Sequence, residues 1–178
     1  MTADDAGLAR FNAFAGAEAA EVLQACCAAP AWIDAVAAGR PYPNRVALVA
    51  RADDALAHLD WSSVRAALDA HPRIGERVAG AGREASWSRS EQAGMDQSSE
   101  EVREALVAAN RAYEERFGHV FLIFAPGRTD AEMLAAARQR LGNDEEVERV
   151  VVRGELGRIV GLRVAKLLDS LGPVEARS

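Results

Sequence analysis

Apolar positions along this chain recur at three- and four-residue intervals far more often than they alternate, the spacing that gathers side chains on one face of a helix. Ala17–Ala28 reads as a first helix. After Pro30, a short second helix over Ala31–Ala38 groups Trp32, Ile33 and Val36, and Gly39 with Pro41-Tyr42-Pro43 stops it. Asn44 is placed to cap a helix from Arg45 to about Leu59, and Asp60 another that begins at Trp61.

From Pro72 to Trp87 the periodicity lapses and Gly75, Gly80 and Gly82 accumulate, which predicts a loop. Helix resumes near Ser88. A stronger one runs over Ser99–Phe117, with Val102, Leu106, Ala109 and Tyr113 on one face and Gly118 as its stop. His119 to Ala125 is short, apolar and closed by Pro126-Gly127; helix and strand compete there, and buried extended chain is the expectation. Thr129 with Glu132 makes a capping box for a helix to about Leu141, and Asn143 followed by acidic residues opens a last helix toward Leu171. The pattern predicts an all-α, single-domain bundle of about eight helices, several short, with one apolar extended segment near 119–125. That domain spans 1–178, with 1–6 and 172–178 as tails.

Composition narrows the function more than the fold. A net charge of -6 leaves no dense basic face for phosphate, so nucleic acid is not an expected partner. No apolar run reaches membrane-spanning length, and the acidic start, Met1-Thr2-Ala3-Asp4-Asp5, lacks the basic-then-apolar order of a signal peptide. Cys26 and Cys27 are adjacent, a spacing too short for an ordinary disulfide, which fits a reducing, cytoplasmic setting. Neither paired cysteines nor His-x-x-x-His spacing points to a metal, and no phosphate-binding loop, dinucleotide fingerprint or Gly-x-Ser-x-Gly elbow is present. What remains is acid–base chemistry on a small substrate.

Three places carry that chemistry. Trp61, Val64 and Leu68 share a helix face that His71 continues, and Pro72 disfavours helix at the residue before it, so His71 belongs at a helix-to-loop junction. Position alone favours a structural histidine bonded to a carbonyl over a catalytic one. Ser88-Arg89-Ser90-Glu91-Gln92 has the Ser-x-x-Glu spacing of a capping box, which satisfies free amides at a helix start and also groups a carboxylate with amide donors. In the last helix Val152, Leu156, Ile159, Val160 and Leu167 form an apolar stripe with Arg163 in its middle. A guanidinium there needs either a protein partner or an anionic substrate, because burial of a lone ion costs several kcal/mol. Gly154, Gly157 and Gly161 suggest close backbone packing nearby.

His71-Pro72-Arg73-Ile74-Gly75-Glu76, Ser88-x-x-Glu91-Gln92-Ala93-Gly94 and Asn110-x-x-Tyr113-x-x-Arg116-Phe117-Gly118 leading into Phe121-Leu122-Ile123 occur in that order. Together they resemble the OHCU decarboxylase family, whose substrate is 2-oxo-4-hydroxy-4-carboxy-5-ureidoimidazoline (OHCU). The resemblance runs from the Cys26-Cys27 region to Leu168. It implies an all-helical, cofactor-independent enzyme that yields (S)-allantoin in urate breakdown, with His71 as proton donor, Glu91 as catalytic carboxylate and Arg163 as active-site arginine. It further implies substrate contacts from Pro72, from Ser88, Arg89, Ser90, Glu91 and Gln92, and from Phe121, Leu122, Ile123, Phe124 and Ala125. A homodimer is compatible with it. Family members often carry proline where this chain has Val120. Two other readings stay open on the residues themselves: a non-catalytic helical module that binds a ureide or a protein, and a lyase for a related ureide.

Overall fold

The computed structural model describes residues 3–74, 82–92 and 99–172, and every regular element among them is helical. In chain order these are α1 (Ala3–Ala13), α2 (Gly16–Gln24), α3 (Pro30–Ala38), α4 (Arg45–Ala57), α5 (Trp61–Asp69), α6 (Arg83–Glu91), α7 (Glu100–Phe117), α8 (Asp130–Arg140) and α9 (Glu145–Leu171). The chain divides into two compact units, one of residues 1–64 with 157–178 and one of residues 65–156, so that α5 and α9 contribute to both.

Most helix ends lie where local chemistry puts them. The Asn44 side chain accepts from the Ala47 amide at 2.9 Å, and Asp60 accepts from the Ser63 amide at 2.7 Å. Thr129 and Glu132 close the expected capping box. Gly118 ends α7 with φ of 72°, a left-handed conformation that glycine adopts without a Cβ clash. The start of α9 differs slightly from the expectation. Asp144 caps it by accepting from the Val147 amide at 2.9 Å, while Asn143 turns inward to donate to Glu148.

In the first unit α3 packs against α2 and α4, around buried Leu23, Trp32, Val36 and Leu48. Burial of each such large apolar side chain contributes roughly 1.5–3 kcal/mol. The Trp32 indole N–H donates to the Ala52 carbonyl at 2.9 Å, so the largest core side chain leaves no donor unpaired. α2 stops at Gln24 rather than reaching Ala28, because the amides of Cys26 and Cys27 both turn back to the Leu23 carbonyl and Pro30 starts α3. α1 is an element the apolar pattern did not reveal, and it begins within the expected 1–6 tail. Leu8 and Phe11 are its buried apolar side chains among the described residues, too few to make a readable stripe. Gly7 lies so close to α9 that a Cβ there would stand 2.0 Å from the Leu168 carbonyl oxygen. Close approach was expected instead at Gly154, Gly157 and Gly161. Added Cβ atoms at Gly154 and Gly161 would meet open space, and one at Gly157 would make ordinary contact with Leu56.

In the second unit α7 packs on α8, and their buried Leu106, Tyr113, Met133 and Ala137 enclose Phe121, Ile123 and Ala125. The segment 119–125 is non-helical and largely buried, as its short apolar run predicted. Beneath it lies a polar knot. Glu148 is 0% exposed and accepts from Arg140 Nε and Nη2 at 2.8 and 2.6 Å, from Asn143 at 2.8 Å and from the Tyr113 hydroxyl. Arg140 sits 4.6 Å from the Phe121 ring centroid. A buried pair of this kind holds because every charge meets several partners. Burial and the bond to Glu148 push the Tyr113 phenol well above its ordinary range, so it stays a protonated donor.

Candidate active site

His71 follows the last turn of α5 and anchors its own amide on the Leu68 carbonyl at 2.9 Å. Val64 and Leu68 of the same face are fully buried, and the imidazole is buried with them. His71 lines a cavity of about 300 Å³ in the second unit, together with Asp69, Ala70, Pro72, Glu84, Ala85 and Ser88. The helix-to-loop junction read from Pro72 is thus real, and it turns a core-anchored histidine toward a polar recess.

The 88–92 stretch corrects the expected capping box. α6 starts at Arg83 with Gly82 as its N-cap, five residues before Ser88, so Ser88 and Glu91 are one turn apart inside the helix. The residues Arg83 to Trp87, expected as loop, are helical; the glycines ahead of them masked a start whose favourable feature is Glu84 in the first turn. The amides of 88–91 are therefore committed to the helix and do not form a free anion cradle. Ser88 is buried and lines the His71 cavity, Arg89 and Ser90 are exposed, and Glu91 and Gln92 close the helix half-buried. A carboxylate in a last turn opposes the helix dipole, so Glu91 is not placed there for the sake of the helix. Gly75 and Glu76 of the first motif and Ala93 and Gly94 of the second lie outside the described residues.

Phe121–Ala125 presents main chain rather than functional side chains. Arg140 Nη1 donates to the Leu122 carbonyl at 2.8 Å, and the Phe124 amide donates to Glu155 Oε2 at 2.7 Å. Arg128 donates to the Phe124 carbonyl through Nε at 3.1 Å and to the Ala125 carbonyl through its own amide at 3.0 Å. Among the described residues no hydrogen bond engages the Ile123 N–H or C=O, although Ile123 is buried. Buried main-chain groups are rarely left unpaired, so this pair suits a ligand with its own C=O and N–H groups. Val120 is half-buried, and its carbonyl lies 3.0 Å from His119 Nδ1.

Arg163 belongs to the other unit. It is 1% exposed, inside the apolar stripe the sequence indicated, and Nη1 donates to the Ala25 carbonyl at 3.3 Å. The chain end of α2 therefore supplies one partner for this buried cation. Burial pushes the neighbouring Cys27 thiol up to about 11, against the opposing effects of the Ala29 amide and the Arg163 charge, so it is not a nucleophile at neutral pH.

Four groups went unread in the sequence: Glu84 in the cavity wall, and Arg140, Glu148 and Glu155 around the 121–125 segment. Glu148 and Glu155 had a legible signal. With Val152, Ile159 and Arg163 they fall at three-, four- and seven-residue steps on one stripe of α9, where an acid is as anomalous as the arginine. Among the described residues no group of three or more His, Cys, Asp or Glu side chains is placed to hold a metal, and no helix is long and apolar enough to cross a membrane.

The molecule is thus an all-helical protein with a histidine-walled polar cavity and a gripped main-chain segment. It belongs to the OHCU decarboxylase family, whose profile matches residues 12–165 and so runs through both units. The chain is 30% identical over 152 residues to the uric acid degradation bifunctional protein TTL of Arabidopsis thaliana, covering 84% of this chain and 47% of the plant protein. It thus spans about half the length of that relative. It is 29% identical over 150 residues to the 2-oxo-4-hydroxy-4-carboxy-5-ureidoimidazoline decarboxylase of Amia calva, covering 83% and 84% of the two chains. A crystal structure of OHCU decarboxylase in the presence of (S)-allantoin superposes with a TM-score of 0.71 at 28% identity, over 82% of this chain and 95% of that one. An (S)-allantoin synthase shares the fold at a TM-score of 0.69 and 16% identity, over 90% of this chain and 53% of that one.

Proposed function

We propose that this protein is a cofactor-independent carboxy-lyase that converts OHCU into (S)-allantoin and carbon dioxide in urate degradation. The observation that carries this reading is the family match across residues 12–165, within which His71, Glu91 and Arg163 all stand. The substrate can supply its own electron sink. As the bond to the carboxylate breaks, its electron pair moves toward the adjoining ring C=N, and one proton delivered to one face of the neighbouring carbon fixes the configuration of the product.

In this reading His71 gives that proton from the cavity wall, its position fixed by the buried end of α5. Glu91 accepts from ring and ureido N–H groups, Arg163 binds anionic oxygen, and Pro72 and Ser88 through Gln92 shape the binding surface with the 121–125 segment. Arg163→Lys separates a forked clamp from a simple charge: KM should rise about tenfold or more, and an unchanged KM would sink the clamp. The reaction itself is read by circular dichroism. Added to urate oxidase and hydroxyisourate hydrolase acting on urate, the protein should give a single allantoin enantiomer, whereas the spontaneous product is racemic. A racemic product at the uncatalysed rate would leave only a binding role.

The same reading places the protein in the cytoplasm, in keeping with reduced Cys26 and Cys27. It takes a small ureide as its partner, not nucleic acid or a membrane. A homodimer is the proposed assembly; Val147 and Val150, exposed three residues apart on α9, are apolar surface it would cover, and sedimentation velocity would show a monomer if this is wrong.

A further inference from the structure

The two peptides that flank Ile123 are each held at one end by a charged side chain from a helix. In the first, the Leu122 carbonyl takes a hydrogen bond from Arg140 at 2.8 Å; in the second, the Phe124 amide donates to Glu155 at 2.7 Å. Both peptides are trans, so within each the C=O and the N–H point in opposite directions. Grip on the Leu122 carbonyl therefore aims the Ile123 N–H away from Arg140. Grip on the Phe124 amide likewise aims the Ile123 carbonyl away from Glu155. Neither of these two Ile123 groups has a hydrogen bond among the described residues.

The grips are themselves rigid. Arg140 is buried, tied to Glu148 through two nitrogens and seated over the Phe121 ring, so its third nitrogen cannot wander. Glu148 and Glu155 lie seven residues apart on α9, two turns along one stripe, so a single helix sets both ends of the clamp. We propose that Glu155 and Arg140 are positioning residues for substrate recognition, fixing the Ile123 N–H and C=O as a donor–acceptor pair at the spacing of a substrate amide edge. This rests on the reading that the 121–125 segment binds substrate.

Glu155 is the variant to make first, because it is half-buried and outside the Arg140–Glu148 knot. Glu155→Gln keeps an acceptor for the Phe124 amide, and Glu155→Ala removes it. In the Ala variant, hydrogen exchange at the Phe124 amide should accelerate about tenfold or more and KM for OHCU rise about tenfold, with kcat changed far less; Gln should restore both. Arg140→Lys keeps the charge but cannot span Glu148 and Leu122 together, and should raise KM similarly. A KM in Glu155→Ala within about twofold of wild type, or a Gln variant as impaired as Ala, would overturn the proposal for Glu155, and an unchanged KM in Arg140→Lys would remove Arg140 from it. A wild-type protein inactive on OHCU would instead overturn the functional reading. The proposal would then be decided with (S)-allantoin as probe: the Ile123 amide resonance must shift on titration in wild type and Glu155→Gln but not in Glu155→Ala, and any other pattern overturns it.

Discussion

The His71 end of α5 and the 121–125 segment belong to the same unit, yet they face opposite design problems. At His71 a side chain has to reach a cavity, and a helix end supports it: Val64 and Leu68 bury the helix while Pro72 releases the chain. In the 121–125 segment the side chains of Phe121, Ile123 and Ala125 are spent on the core, and what is left for the proposed recognition of a ligand is main chain. Main chain without a helix or sheet ladder has no orientation of its own. Here it takes its orientation from Arg140 and Glu155, which are distant in sequence, and from the nearby Arg128. Activity at the first region should thus depend on one local residue, and at the second on remote ones that also hold up the fold.

That contrast breaks or holds at measurable points. The largest effect is expected at His71→Gln, where kcat should fall about 10²- to 10⁴-fold with the melting temperature unchanged. A loss of stability as large as the loss of rate would make His71 a packing residue, and the two regions would not differ. Arg140→Met should do the reverse, costing about 3–5 kcal/mol in urea unfolding because Glu148 is left charged and buried without its cation. The double variant Arg140→Met with Glu148→Leu should recover much of that loss. If it does not, the pair is not the source of the stability. The smallest effect is a pH dependence beside the segment. Burial holds the His119 imidazole below its ordinary value of 6.5, with the Val120 carbonyl only partly offsetting it, so the folded protein binds fewer protons there than the unfolded chain. Its contribution is full above 6.5 and is lost as pH falls toward the folded value. Melting temperature should therefore decline from neutral pH downward, and His119→Gln should flatten the decline; an equal slope in both would assign it to the carboxylates.

Much of the fold was legible because capping is local. Asn44, Asp60, Thr129 with Glu132, and Gly118 act on amides or dihedrals within three residues of themselves, so their sequence spacing is their geometry. α1 was not legible, since Leu8 and Phe11 are too few to make an apolar stripe and the close approach of Gly7 to α9 leaves no trace in the pattern. The start of α6 was misread for a related reason. Ser-x-x-Glu has the same spacing at a helix start and in a helix interior, and only the observed Gly82 cap tells them apart.

The candidate site divides along the same line. His71 at a helix end, Arg163 in an apolar stripe and the ordered family motifs are properties of one-dimensional spacing, and the proposed chemistry rests on them. The cavity that joins His71 to Glu84 and Ser88, and the clamp of Arg140 and Glu155 on the peptides around Ile123, unite residues 13 to 31 positions apart. Such contacts follow from how helices pack on one another, and no periodicity along the chain encodes them.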